Sequence, residues 1–169
     1  MRIYISADIE ASNPTVVTGV WLNGEPCSEA RMNATLAGFE GISVGLVTGD
    51  DLACAEAEAL YAGAQTARVK TAVDRYTARC LSPQVARERI REAAHRAAGR
   101  GDLSPYAPDP PYTFTVEFAT ASSAASVLFF PGLEREDERR VSWTQEDYET
   151  AFEMFIGVMR LSRSDPDYG

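Results

Sequence analysis

The chain has 169 residues, 45% of them apolar and 24% charged, which is enough for one domain with a hydrophobic core and too little to expect two. Its net charge of −9 argues against a nucleic-acid partner, because phosphate binding requires a clustered basic surface. We also expect no membrane partner and no signal peptide, since no apolar run has the length or flanks of either. Three cysteines without metal-site spacing predict reduced thiols in a cytoplasmic protein.

The chain begins with an apolar, β-branched run that predicts a buried strand ending at Asp8 and Glu10. Because side chains alternate along a strand, the two carboxylates point to the same face. Ligands of open α/β sheets bind beyond the carboxyl ends of strands, and close like charges repel unless a cation lies between them. Asp8 and Glu10 are therefore candidates for a metal or catalytic site. The alternative is that both lie in a solvated loop.

Strand and helix patterns alternate along the rest of the chain. In order, we predict a strand over residues 15–22, a turn at Asn23-Gly24, a helix from Pro26 to Phe39, a strand over 42–47, an Ala-rich helix to about Tyr61, a strand over 66–73 and a connection over 75–81. There follow a helix from Ser82-Pro83 to about Ala98, a Gly/Pro-rich connection over 99–111, a strand over 112–118, a charged hairpin near 134–140 and a final helix starting near Thr144. This alternation predicts a single α/β domain over residues 1–169, a layered domain with a mixed, largely parallel sheet flanked by helices.

Several further polar residues have a structural and a functional interpretation. Asp50 and Asp51 follow a predicted strand and either cap the next helix or join the acids of the first strand; we favour the cap. Glu29 lies in the first turn of a predicted helix, where an acid is favourable without any function. His95, the sole histidine, lies in a charged helix and is expected to be solvated.

Short segments throughout the chain, in a fixed order, resemble the D-aminopeptidase family of zinc metallopeptidases, the type encoded in bacterial dipeptide-transport operons. These segments are Tyr4 to Glu10, Gly19 to Pro26, Glu29 to Asn33, Val47 to Asp51, Val69-Lys70, Arg79 to Pro83 and Val116 to Phe118. None of them is specific alone, and the ordered set carries the resemblance.

The resemblance implies an α/β metallo-aminopeptidase that holds two zinc ions, assembles into homo-oligomeric rings and removes N-terminal residues, including D-amino acids, from short peptides. It maps metal ligands of the family onto Asp8, Glu10 and Glu29. In the family, zinc activates a water that attacks the peptide carbonyl. No catalytic or substrate-binding residue is assigned.

The chain departs from the family after residue 11, where a long segment is missing between the first strand and residue 15. That segment carries the histidines that complete the zinc sites and a catalytic histidine, and His95 matches none of them. The remaining ligands are all carboxylates, a set that suits magnesium or manganese better than zinc. The chain is then either a metallopeptidase-type hydrolase or a non-catalytic scaffold or binding protein derived from that family. The Asp-x-Glu pattern also resembles metal-dependent exonucleases, but the acidic surface disfavours that interpretation.

Overall fold

The structure, a computed structural model, describes residues 16–74 and 77–162, together with the backbone of residues 2–6. Its strands are β1 (Arg2–Ser6), β2 (Val17–Leu22), β3 (Glu25–Pro26), β4 (Ser43–Gly49), β5 (Gln65–Arg68), β6 (Lys70–Asp74), β7 (Thr77–Cys80), β8 (Tyr112–Phe118), β9 (Glu134–Arg135) and β10 (Arg140–Gln145). Its helices are α1 (Glu29–Phe39), α2 (Asp51–Leu60), α3 (Pro83–Ala98), α4 (Ala121–Val127) and α5 (Tyr148–Ser162).

The described residues form two compact units. Unit 1 contains residues 2–6, 28–74 and 77–108, and unit 2 contains residues 16–27 and 109–162. The single domain expected over residues 1–169 stays a prediction. Within the described ranges, no helix has the length and apolar character that crossing a bilayer requires.

Unit 1 is built on a three-stranded parallel sheet in the order β1-β4-β5. The central strand β4 is buried along its whole length, as expected for a parallel strand with both faces covered. Val44 and Val47 pack with residues of α1 and α2, whereas Leu46 packs with residues of β5 and α3. Helices therefore flank this sheet, as predicted.

The predicted strand over residues 66–73 is two strands in different sheets. The chain leaves the parallel sheet after Arg68 and begins β6 at Lys70, which pairs antiparallel with β7 in a two-stranded sheet. Val69 lies at the junction: its N–H donates to the carbonyl of Gly49 (3.0 Å), and its own carbonyl accepts from the N–H of Leu81 (2.9 Å).

Unit 2 contains a five-stranded antiparallel sheet in the order β3-β2-β8-β10-β9. Its aromatic core is centred on Phe114, whose ring stacks on Trp143 (centroids 5.4 Å apart) and on Phe155 of α5 (5.7 Å). The indole N–H of Trp143 donates to the carbonyl of Ala151 (3.0 Å), which fixes α5 against the sheet.

The α/β class and the flanking helices are confirmed, but parallel pairing is confined to β1, β4 and β5 among the described strands. Short turns join two of the antiparallel pairs of unit 2, β2 with β3 and β9 with β10. One of them is the predicted turn, in which Asn23 and Gly24 have φ of 53° and 81°.

Two helix starts differ from the prediction, and one helix was not predicted. Pro26 pairs with Trp21 in the sheet, so α1 begins only at Glu29. Thr144 lies in β10, and the N–H of Thr150 instead bonds to the carboxylate of Asp147 (2.7 Å) at the start of α5. The short helix α4 is made of Ala, Ser and Val and lacks a long apolar period.

Candidate metal site

The three predicted metal ligands are only partly within the described chain. Asp8 and Glu10 lie outside the described residues, whereas Glu29 is the first residue of α1 and is exposed to solvent. Their convergence in one pocket therefore stays a prediction. The geometry around Glu29 is the part of the candidate site that the structure describes.

Ser28 determines where α1 begins. Its backbone is extended (φ −75°, ψ 165°), and its hydroxyl oxygen accepts a hydrogen bond from the N–H of Arg31 (3.0 Å). This is the usual N-cap arrangement, which satisfies an amide that has no partner within the helix. Glu29 follows at the first helical position, where the helix dipole favours a negative charge.

The carboxylate of Glu29 is available to a ligand. It forms no hydrogen bond or ion pair with any residue that the structure describes, and it faces solvent. Carboxylate oxygens bind zinc as well as the harder magnesium and manganese ions. Glu29 thus fits the role of one oxygen ligand. A complete site requires further donors, and within residues 16–74 and 77–162 no group of three His, Cys, Asp or Glu side chains is arranged to hold a metal.

Two side-chain contacts tie the first turn of α1 to the rest of unit 1. The hydroxyl of Ser28 hydrogen-bonds to Oε2 of Glu56 on α2. Nε of Arg31 donates to the hydroxyl of Tyr106 (3.1 Å), in the connection after α3. Because the helix was predicted to start at Pro26, Ser28 was placed inside it and was not recognised as the N-cap. A Ser directly before a helix is nevertheless an N-cap signal in the sequence.

Asp50 and Asp51 bind backbone amides. Asp50 is only 2% exposed, and its Oδ1 accepts from the N–H of Ala53 (2.8 Å), so the predicted cap of α2 is confirmed. Asp51 Oδ1 accepts from the N–H of Ala72 on β6 (2.8 Å), a tertiary contact that the sequence did not indicate.

Within the described part of the chain, neither His95 nor Cys54 has the surroundings of a catalytic group. His95 is exposed, as predicted, and with Arg91, Glu92 and Arg96 it lines an open depression of about 360 Å³ on α3. Burial and, next, the charge of Glu58 raise the pKa of the Cys54 thiol, which opposes formation of the nucleophilic thiolate.

The comparisons with known proteins decide the family. Residues 11–156, most of the chain, match the D-aminopeptidase family. The chain belongs to this family. A D-aminopeptidase of Bacillus subtilis (strain 168) is 28% identical over 170 residues, covering 95% of this chain and 62% of the relative.

A solved structure shows the same relationship in three dimensions. The zinc-dependent D-aminopeptidase DppA from Bacillus subtilis, described as a self-compartmentalizing protease, superposes with a TM-score of 0.82 at 27% identity. The match covers 94% of this chain and 58% of that chain. The chain therefore spans about three fifths of the length of the relatives it matches.

Proposed function

We propose that this chain is a metal-dependent hydrolase of D-aminopeptidase type that removes N-terminal residues, including D-amino acids, from short peptides. The family match over residues 11–156 is the observation that carries this proposal. The exposed carboxylate of Glu29 at the start of α1, which has no polar partner among the described residues, supports it further. The proposal takes Asp8, Glu10 and Glu29 as metal ligands.

A bound metal would supply an activated water for attack on the peptide carbonyl. The part of the chain around Glu29 contributes a carboxylate ligand on a helix end that Ser28 holds by its cap. Zinc is the metal implied by the relatives, and magnesium or manganese is the alternative for a site of carboxylates only.

The partners that we propose are short peptides and further copies of the same chain, in the cytoplasm. Self-compartmentalization is described for the Bacillus subtilis relative, which supports a homo-oligomer here. Exposed apolar side chains are compatible with such contacts: Phe129 is 90% exposed and Val73 61% exposed.

The test is to measure bound metal by elemental analysis, together with release of an N-terminal D-amino acid from short peptides. We expect metal binding and turnover in the native chain and loss of both in Glu29→Gln. Glu40→Gln, at the opposite end of α1, is the matched control and should behave like the native chain. A folded protein that neither binds zinc, magnesium or manganese nor cleaves peptides would contradict the proposal and favour the non-catalytic scaffold.

A further inference from the structure

The hydroxyl of Ser28 forms hydrogen bonds with two neighbours. It accepts a hydrogen bond from the N–H of Arg31 (3.0 Å) and donates one to Oε2 of Glu56 on α2. A serine hydroxyl has one hydrogen and two lone pairs, so donation to Glu56 directs a lone pair at the Arg31 amide. Glu56 thereby selects the serine rotamer that caps α1.

Glu29 follows Ser28 directly, so the same contact fixes the backbone from which its side chain projects. The Arg31–Tyr106 hydrogen bond holds the first turn at a second point, and the Tyr106 ring is itself packed edge-on against Tyr61 (centroids 5.2 Å). The supports are partly buried, whereas the Glu29 carboxylate is exposed and makes no contact with a described polar group. An exposed carboxylate on a backbone that partly buried contacts hold in place is the arrangement expected of a metal ligand.

We propose that Glu56 is a positioning residue for the metal ligand Glu29 and acts on it through Ser28. The inference rests on the proposed function, since it takes Glu29 as a ligand. Metal affinity depends on holding ligands within about 0.5 Å of the productive geometry. Groups that orient a ligand accordingly change metal affinity by about 10- to 100-fold when they are removed.

Glu58 on the same helix provides a matched control. Its Oε1 accepts a hydrogen bond from the hydroxyl of Thr66 (2.8 Å), so it is also a glutamate bonded to a hydroxyl group. Its partner, however, lies in β5 and not beside Glu29. A general loss of stability would follow removal of either glutamate, whereas a loss of metal affinity is specific to Glu56.

The experiment measures dissociation constants for Zn²⁺ and Mn²⁺ on the full chain by competition with a fluorescent chelator, and the unfolding midpoint in EDTA. We expect Glu56→Ala to weaken metal binding about tenfold. Glu56→Gln should restore most of the affinity, because its amide oxygen accepts the same hydrogen bond. Glu58→Ala should shift the unfolding midpoint without changing the affinity.

Other outcomes separate this inference from the proposed function. If the native chain binds metal and Glu29→Gln abolishes binding, but Glu56→Ala binds like the native chain, Glu56 has no positioning role and the function stands. Equal weakening by Glu58→Ala and Glu56→Ala would also overturn the inference. If the native chain binds neither ion, the proposed function fails and the inference fails with it. Should Glu56→Ala not fold, Ser28→Gly removes the same hydroxyl while keeping a tolerated cap residue, and its affinity decides in the same way.

Discussion

Glu117 on β8 is the most heavily bonded carboxylate in unit 2. It accepts hydrogen bonds from the hydroxyl of Thr18 (2.8 Å) and from Nε of Arg140 (2.7 Å), and its side chain is only 17% exposed. The Arg140 guanidinium also lies over the ring of Trp21, 4.9 Å from its centre. The hydrogen bond from Thr18, and then that from Arg140, lowers the pKa of Glu117. These contacts join three neighbouring strands on one face of the sheet.

This network predicts that stability falls in acid. Because the folded pKa of Glu117 is lowered, its contribution is present above the unfolded pKa of about 4.3 and is lost as pH falls through the folded pKa. Glu117→Gln should lower the free energy of unfolding by about 1–2 kcal/mol at pH 7. Urea unfolding at several pH values measures the difference, which should shrink below about pH 4. Glu153→Gln, an exposed acid within α5 and outside its first turn, is the control. A difference that stays constant from pH 7 to pH 3 would contradict this account.

Gly38 of α1 leaves no room for a side chain. A Cβ at this position would lie 1.8 Å from the carbonyl oxygen of Tyr106, a backbone atom that cannot rotate away. We therefore expect Gly38→Ala to lower the free energy of unfolding by about 1–3 kcal/mol or more, because α1 and the segment around Tyr106 must move apart. Gly101→Ala, where a Cβ would meet nothing within 4 Å, is the control and should change little. Chemical denaturation of both variants tests this, and a neutral Gly38→Ala would show that α1 does not pack there.

At the scale of elements, substitutions of Asp50 test whether this residue acts only as the N-cap of α2. Asp50 caps α2 through the N–H of Ala53, so Asp50→Ala should cost about 1–2 kcal/mol of unfolding free energy. Asp50→Asn keeps an oxygen in the same position and should be nearly neutral. Thermal unfolding measures both variants, and metal affinity is measured in parallel. If Asp50→Asn stays stable but loses metal affinity, Asp50 is a ligand as well as a cap.

The elements that were predicted correctly are those with local signals. Ser82 and Pro83 mark the start of α3, and alternating burial defines β8. The errors occur where distant contacts decide. Pro26 has a favourable residue type for a helix start, but it pairs with Trp21 in the sheet. Val69 divides one apparent strand because its two backbone groups bond to Gly49 and Leu81. No local pattern records such partners.

In the candidate site, too, features with local sequence signals were predicted, whereas features that depend on distant contacts were not. The position of Glu29 in the first turn of a helix follows from its sequence context and is confirmed. The link from Ser28 to Glu56 joins residues 28 positions apart, so spacing rules for one helix could not reveal it. The meeting of Glu29 with Asp8 and Glu10 is a question of tertiary structure and stays a prediction.

At the scale of the whole molecule, charge is unevenly distributed along the sequence. Residues 65–100 carry nine Lys or Arg and three Asp or Glu, whereas the rest of the chain carries seven and 22. The basic segment includes β6, β7 and α3, and Val73 and Val85 are exposed within it at 61% and 45%. A basic segment with exposed apolar residues would be complementary to the acidic remainder of a second copy. Self-association of the chain should therefore depend on electrostatic attraction.

The resulting prediction is that the proposed homo-oligomer weakens with salt and with charge reversal in the basic segment. Arg87 is exposed on α3 and has no hydrogen bond or ion pair with a described residue, so Arg87→Glu should raise the dissociation constant at least several-fold. Arg160→Glu changes the net charge equally but lies in α5, in the acidic part of the chain, and should not weaken association. Sedimentation at low and high NaCl measures both variants, since screening reduces exposed attractions. The prediction would be contradicted if both substitutions raised the dissociation constant equally, or if the dissociation constant did not change with NaCl concentration.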